Sequence, residues 1–127
     1  MADTSSETEA LAQLLRDHRG ADALVMDLRQ MGAWTDFFVV ATASSEAHMD
    51  GLERHVKDFC REKGLEILRR SHRSKRGLGA DIPDEWRIID LGHVVVHLMS
   101  AKAREFYDLE RLYSTGARNA GPTVTVG

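Results

Sequence analysis

The sequence predicts a single-domain α/β protein, with a mixed sheet of about five strands, helices packed against it and the element order αββαβββα. Three observations favour this class. Amphipathic helical repeats alternate with short runs rich in β-branched residues. The strand–helix–strand pattern from 37 to 68 is typical of a right-handed parallel crossover. An apolar run split at Gly92 is typical of an antiparallel hairpin. The length of 127 residues, 43% of them hydrophobic, suits one domain with its own core.

Local signals predict the first three elements. Ser6 and Glu9 form a capping box, which predicts the start of a helix that Gly20 ends. Residues 23–28 are a short apolar run and predict a strand. Residues 36–43 combine β-branched and aromatic side chains without alternation, which predicts a strand covered on both faces.

A second amphipathic helix is predicted between a serine cap, Ser44 or Ser45, and a stop at Gly64. Its apolar stripe recurs at three- and four-residue steps and comprises Met49, Leu52, Val56 and Phe59. Residues 65–68 predict a short strand that would complete the crossover. Residues 71–84 predict a loop rich in glycine and charge.

The last part of the chain predicts a hairpin and a helix. Two strands flank Gly92 within residues 86–99, and Ser100 caps the final helix. The buried stripe of that helix is predicted to comprise Phe106, Leu109 and Leu112 or Tyr113. We expect the domain to span 1–113, and the glycine and proline content predicts a flexible tail over 114–127.

The charge balance and the single cysteine limit the classes of protein. Seventeen Lys and Arg against 20 Asp and Glu give a net charge of −3, whereas a general nucleic-acid binder is usually basic. Cys60 excludes an internal disulfide framework and fits a reducing compartment. The sequence has no apolar run of about 18 residues and no leader-like start. We therefore expect a soluble, cytoplasmic protein without a membrane partner.

The histidines do not have metal-ligand spacing. His93 and His97 are expected on one face of a strand, about 13 Å apart. His48 and His55 are expected about 10 Å apart along their helix. Neither pair can chelate one ion by itself, so we expect structural histidines and no metal site.

Catalytic groups are equally hard to assign. Cys60 has no recognisable nucleophile signature. Gly77 and Gly79 lead to a strand rather than to the helix N-terminus that a phosphate cradle needs. Ser44 and Ser45 are not followed by the closely spaced carboxylates that would hold magnesium in a nucleotidyltransferase. We therefore predict no catalytic residue, no cofactor and no enzymatic activity.

Residues 69–76 contain five basic side chains in eight positions. Arg73, Lys75 and Arg76 are the candidate contacts to RNA phosphates, through charge and counterion release. No aromatic residue is interleaved for base stacking, which argues against sequence-specific RNA recognition. The alternative is a solvated loop balanced by the acids elsewhere in the chain.

The hairpin is the candidate protein-binding surface, because the face that does not enter the core carries an aromatic, a carboxylate or two imidazoles among apolar groups. Within the first strand Trp86, Ile88 and Asp90 are expected to share a face, and within the second His93, Val95, His97 and Met99 are expected to share one. We expect the carboxylate of Asp90 to be open to solvent or to a partner. The alternative is that both faces of the hairpin are covered within the fold.

Three ordered blocks of the sequence carry a resemblance. Residues 27–28, 35–42 and 44–45 are Asp-Leu, Thr-Asp-Phe-Phe-Val-Val-Ala-Thr and Ser-Ser. Residues 85–99 contain the pattern Trp-x-x-x-Asp-x-Gly-x-Val-x-Val-His, and residues 104–113 are Arg-Glu-Phe-Tyr-Asp-Leu-Glu-Arg-Leu-Tyr. Together they resemble the signatures of the ribosomal silencing factor family, also called Iojap-like, over about residues 10–113.

The resemblance implies a small α/β protein without known catalysis that is often a dimer. It implies binding to the large ribosomal subunit through its fourteenth-numbered protein, which sterically prevents joining of the small subunit and represses translation. Together with the hairpin pattern, it predicts a partner-binding set of Trp86, Asp90, Leu91, Gly92, His93 and His97. The family offers no role for the basic loop, so the expected peripheral contact of Arg73, Lys75 and Arg76 with ribosomal RNA rests on their charge alone.

Two positions depart from the family pattern. His93 stands where many members have aspartate, which removes an acid that could pair with basic groups of the partner, and Tyr113 replaces the usual tryptophan. Two alternative functions remain open at this point. One is a large-subunit assembly factor, as in the related organellar members, and the other is a small nucleotide-binding enzyme of nucleotidyltransferase-like fold.

Overall fold

The computed structural model describes residues 4–73, 85–111 and 124–126 of the chain. Among these residues no helix is long and apolar enough to cross a membrane. The α/β class is confirmed. The elements are α1 (Thr4–Asp17), β1 (Ala21–Asp27), β2 (Phe37–Ala43), α2 (Glu46–Lys63), β3 (Arg69–Arg73), β4 (Trp86–Asp90), β5 (Val94–Ser100), α3 (Ala101–Tyr107) and β6 (Val124–Val126).

The strands form one mixed sheet in the order β3-β4-β5-β2-β1-β6. Strands β2 and β5 pair in parallel, and every other neighbouring pair is antiparallel. The edge strand β6 lies within residues 114–127, for which the sequence predicts a flexible tail, and it adds a sixth strand to the five predicted.

Helices α1 and α2 cover one face of the sheet, and α3 covers part of the other. We call these the α1/α2 face and the α3 face. Strand β2 contributes to both cores, since Phe37 and Val39 pack on the α1/α2 face while Phe38 and Val40 pack on the α3 face. The prediction that this strand is covered on both faces is therefore confirmed. Successive side chains of β2 point to opposite faces of the sheet, and both faces are packed.

The predicted caps of α2 and α3 are present, whereas the predicted capping box of Ser6 and Glu9 is wrong, because Ser6 lies inside α1 rather than at its start. The Ser45 hydroxyl accepts the His48 N–H at 3.0 Å, and Gly64 ends α2 in the left-handed region with φ +71°. The Ser100 hydroxyl accepts the Ala103 N–H at 3.1 Å at the start of α3. These side chains satisfy backbone groups that have no partner within the helix.

The predicted strand at 65–68 is wrong, because β3 begins at Arg69 and enters the predicted loop of 71–84. The Leu65 N–H donates to the Cys60 carbonyl at 2.8 Å as part of the end of α2, and Leu65 and Ile67 pack half-buried against the α1/α2 core. Leu65 and Ile67 are thus apolar because they pack against the core. The strand that pairs with β4 is the arginine-rich edge strand β3. Charged side chains are common at sheet edges, since they prevent pairing with other chains.

The predicted crossover from β2 through α2 to the next strand does not connect neighbouring strands of the sheet. Strand β3 runs in the same direction as β2, since two antiparallel pairings and one parallel pairing separate them, but β4 and β5 lie between. Glu53 on α2 ties this edge to the helix by accepting from Arg70 on β3 and Arg87 on β4, both at 3.0 Å.

Two predicted stripe residues do not take the expected positions. Phe106 is 57% exposed, so its predicted burial is wrong. The face of α3 that packs on the core carries Ala103 and Tyr107 instead. Helix α3 ends at Tyr107 and Asp108 adopts φ +49°, so Leu109 does not share a helical face with Phe106. Phe59 is only half-buried, whereas the next residue, Cys60, is fully buried. Leu109 is buried as predicted, and Leu112 and Tyr113 lie outside the described residues.

Candidate partner-binding surface

Trp86 lies in the core between the sheet and α3. Its side chain is 9% exposed, its Nε1–H donates to His97 Nδ1 at 3.1 Å, and its ring packs on Tyr107 with centroids 4.5 Å apart. In the free chain the indole is therefore part of the core, in agreement with the alternative that this face of the hairpin is covered within the fold. It supports the α3 face from within.

His97 lies beside Trp86 and is 4% exposed. Burial lowers the pKa of its imidazole to about 4, so the ring is neutral near pH 7. Because Nδ1 accepts the Trp86 N–H, Nε2 carries the remaining ring proton. That Nε2 is buried and has no hydrogen-bond partner among the described residues.

Asp90 is not open to solvent, so that part of the expectation is wrong. The residue is 6% exposed, and its Oδ1 accepts the Gly92 N–H at 2.8 Å while its Oδ2 accepts from Arg69 at 3.2 Å. Gly92 has φ +95°, a conformation that favours glycine. The Asp90 carboxylate stabilises this turn by accepting the Gly92 N–H. Leu91 is also buried, in the α1/α2 core.

His93 and His97 do not share a face, which corrects the expectation from alternation. Strand β5 begins only at Val94, so His93 belongs to the turn. Its Nε2 lies 3.1 Å from the Glu7 carboxylate on α1, whereas His97 lies on the α3 face against Phe38 with ring centroids 4.4 Å apart. Among the described residues there is no cluster of three or more groups that could hold a metal ion.

A cavity of about 190 Å³ opens on the α3 face at the β3–β4–β5 side. It is lined by Trp34, Arg69, Ser71, Ile88, Asp90, Val95 and His97. Trp34 is 63% exposed, and the sequence interpretation missed it. Its position in the short connection between two strands could have indicated an exposed side chain, and aromatic residues are enriched at protein-binding surfaces.

The aromatic side chains of the α3 face form a continuous row with neighbouring ring centroids 4.4 to 6.4 Å apart. In order, the row is Trp34, Phe38, His97, Trp86, Tyr107 and Phe106. Its interior members are buried or half-buried, and its two ends are exposed. Exposed aromatic side chains held by a rigid interior are suited to bind a protein partner.

A second cavity, of about 480 Å³, lies at the carboxyl ends of β2 and β5, where open α/β sheets often bind nucleotides. Its lining includes Ser44, Ser45, Glu46 and Glu85. Glu46 is in the first turn of α2 and Glu85 precedes β4, so neither belongs to a pair of carboxylates on a strand.

Cys60 is not an activated thiol. It is buried, and its burial, followed by the charge of Glu7, raises the pKa of the thiol. A catalytic cysteine needs the opposite shift, because the thiolate is the nucleophile.

Part of the basic segment is engaged with acids of the same chain. Arg69 pairs with Asp90 at 3.2 Å, Arg70 pairs with Glu53 at 3.0 Å, and the His72 ring lies 2.9 Å from Glu85. The Arg73 side chain, Lys75 and Arg76 lie outside the described residues.

Comparison with known proteins assigns the fold to a class of ribosome-associated factors. The family described as "Ribosomal silencing factor during starvation" matches residues 2–126. Ribosomal silencing factor RsfS of Treponema pallidum is 44% identical over 104 residues, which are 82% of this chain and 86% of that protein. A crystal structure of a Chromobacterium violaceum protein superposes with a TM-score of 0.68 at 28% identity, covering 86% of this chain and 85% of that one. The chain belongs to the ribosomal silencing factor family.

Two organellar relatives are longer than this chain. Protein Iojap, chloroplastic, of Zea mays is 32% identical over 112 residues, 88% of this chain and 45% of that protein. Mitochondrial assembly of ribosomal large subunit protein 1 of Mus musculus is 28% identical over 108 residues, 85% of this chain and 45% of that protein. The chain thus spans less than half the length of either relative.

Proposed function

We propose that this chain is a non-catalytic translation repressor of the cytoplasm. In this proposal it binds the large ribosomal subunit at its fourteenth-numbered protein and sterically blocks joining of the small subunit. When free it is a homodimer. The observation that carries the proposal is the family match over residues 2–126, joined to an α3 face with exposed aromatic ends.

The partner-binding set divides by accessibility. Trp86, Asp90, Leu91 and His97 are buried. Trp86 and Leu91 act by holding the hairpin and the aromatic row in place, whereas Asp90 and His97 line the 190 Å³ cavity of the α3 face. Gly92 and His93 are half-buried at the turn and can touch a partner directly. A stable interface buries about 1,200–2,000 Å² in total, so the contact must extend from this turn across the α3 face.

The first test is sedimentation with purified ribosomal subunits. We expect the protein to migrate with free large subunits and to shift joined ribosomes toward separate subunits when it is added before the small subunit. Truncating both exposed ends of the row, Trp34→Ala with Phe106→Ala, should weaken both effects. Lys57→Ala, an exposed change on α2, should leave them intact. Migration with small subunits alone, or with neither subunit, would exclude the proposal.

A role in large-subunit assembly is the second candidate, favoured by the name of the Mus musculus relative, mitochondrial assembly of ribosomal large subunit protein 1. Depletion of the chain from its own cells separates the two functions. Accumulation of large-subunit precursors favours assembly, whereas mature subunits with an excess of joined ribosomes in starved cells favour silencing.

A small nucleotide-binding enzyme is the remaining alternative, and the 480 Å³ cavity is where it would bind its substrate. The absence of a metal-binding cluster in residues 4–73, 85–111 and 124–126 weighs against it. A titration of nucleotides with magnesium should give no saturable binding.

The basic segment is proposed to contact ribosomal RNA at the periphery of the interface. Replacing Arg73, Lys75 and Arg76 together by glutamine should weaken binding modestly and flatten its salt dependence, since each lost phosphate contact lowers the slope by about 0.7–0.9. Affinity for large subunits is measured from 50 to 300 mM salt, a range of about 0.8 log units. The same charge change at Arg54, Lys57 and Lys63 on α2 is the control. Equal slopes for both triple variants would place the segment away from RNA.

A further inference from the structure

One residue that lines the cavity on the α3 face has a buried donor without a hydrogen-bond partner among the described residues. His97 is 4% exposed and lines the cavity, and its Nε2 has no hydrogen-bond partner among the described residues. The other ring nitrogen accepts the Trp86 N–H at 3.1 Å, which fixes the tautomer with the proton on Nε2. A buried N–H without an acceptor destabilises the free protein, so an acceptor brought by a ligand would relieve that cost.

The same cavity carries an acceptor in Asp90. Its two carboxylate oxygens take one hydrogen bond each, from Gly92 and from Arg69, and a carboxylate can accept about four. The Arg69 guanidinium already compensates the charge of this carboxylate at 3.2 Å. A second carboxylate in the cavity would face Asp90, and a cation would face Arg69, so a neutral occupant is favoured.

The volume restricts the occupant to a single small group. The cavity volume is about 190 Å³. Sites for drug-sized ligands usually start at about 300 Å³. Trp34, which is 63% exposed, and the apolar Ile88 and Val95 supply flat and apolar walls for such a group.

We propose that this cavity receives one asparagine or glutamine side chain of the ribosomal protein that the chain binds. The carboxamide oxygen accepts from His97 Nε2–H, the carboxamide N–H₂ donates to Asp90, and the planar group lies against Trp34. A carboxamide carries an acceptor oxygen and a donor N–H₂ side by side on one small, planar, uncharged group. This inference rests on the proposed function and adds the chemistry by which the partner is recognised.

Binding of the isolated ribosomal protein to the full-length chain is the first readout. Asp90→Asn keeps an oxygen for the Gly92 N–H but replaces an acceptor by a donor, so it should raise the Kd about tenfold. Asp58→Asn is the matched control, since Asp58 also pairs with an arginine, Arg61, but on exposed α2. Trp34→Ala should weaken binding while Trp34→Phe keeps most of it, and thermal unfolding of each variant shows that the fold persists. A gain of affinity in Asp90→Asn would mean a carboxylate occupant and overturn the proposal.

Nuclear magnetic resonance of protein labelled with ¹⁵N-histidine is the second readout, with the His97 signal assigned by its loss in His97→Phe. On saturation with the ribosomal protein, the His97 Nε2–H resonance should move downfield and exchange more slowly with water. Normal binding without this change would overturn the cavity assignment and leave the proposed function standing. The same change produced by a short single-stranded RNA, and not by the protein, would identify a nucleobase occupant and also overturn it. Absence of any binding to the ribosomal protein and to large subunits would reject the proposed function together with the inference.

Discussion

Replacing Trp86 by alanine is expected to lower the free energy of unfolding by about 3–5 kcal/mol, the usual cost of truncating a buried tryptophan. Trp86 is 9% exposed, its ring packs on Tyr107 with centroids 4.5 Å apart, and its indole N–H donates to His97 Nδ1. Its removal leaves a cavity beneath α3 and an acceptor without its partner. The measurement is chemical denaturation at pH 7, followed by circular dichroism.

Trp34→Ala is the matched control, because the chain has two tryptophans and this one is 63% exposed. Its substitution should change the free energy of unfolding by less than about 0.5 kcal/mol. Trp86→Phe separates packing from hydrogen bonding and should cost about 1 kcal/mol. If Trp86→Ala left stability unchanged but reduced partner affinity by about 2–4 kcal/mol, the indole would be an exposed anchor and this account of the α3 face would be wrong.

The parts of the fold that could be predicted are those fixed by local chemistry. Ser45 and Gly64 bound α2 because a hydroxyl can accept a free helix N–H and because glycine tolerates positive φ. Strand β2 could be recognised because a run without alternation indicates burial on both faces, and both cores indeed use it. Gly92 marked the hairpin turn for the same conformational reason.

The errors occurred where long-range packing decides the structure. Leu65 and Ile67 have the composition of a strand, yet they pack against the core while the arginine-rich β3 forms the edge. No local signal tells whether an apolar residue pairs in a sheet or packs beside one. The same holds for Phe106, which helical periodicity places inside and the left-handed turn at Asp108 leaves exposed.

The candidate surface could be located in sequence but not resolved into contacts. Alternation placed His93 with His97, but a turn residue does not follow the alternation of the strand after it, and Glu7 on α1 holds His93 at 3.1 Å. The cavity joins Trp34 from one connection, Arg69 from the edge strand and His97 from a central strand. Only the pairing order of the sheet brings these three together, so the sequence alone does not indicate the site.

Stability should depend on pH through His97. Burial lowers the pKa of this imidazole to about 4 in the folded chain, whereas the unfolded chain has the usual value of 6.5. Between these values the unfolded state binds one proton more than the folded state, so acid favours unfolding and stability rises with pH. The contribution is fully present above about pH 6.5 and is lost as the pH falls toward 4. Its size is about 3 kcal/mol, since each unit of pKa difference corresponds to about 1.4 kcal/mol.

The measurement is the free energy of unfolding from pH 7.5 to 4.5 for the wild type and for His97→Phe. Carboxylates and the other histidines contribute to both curves, so the difference between the curves isolates the imidazole of His97. This difference should change by about 2–3 kcal/mol across the range, with the variant showing the flatter curve. Trp86→Phe is the control, because it loses the hydrogen bond to Nδ1 at every pH but keeps the buried imidazole, and its curve should lie lower and remain as steep as that of the wild type. Parallel curves for His97→Phe and the wild type would mean that the ring titrates at its ordinary pKa, in which case His97 is hydrated in the folded chain and its Nε2 is not a buried donor.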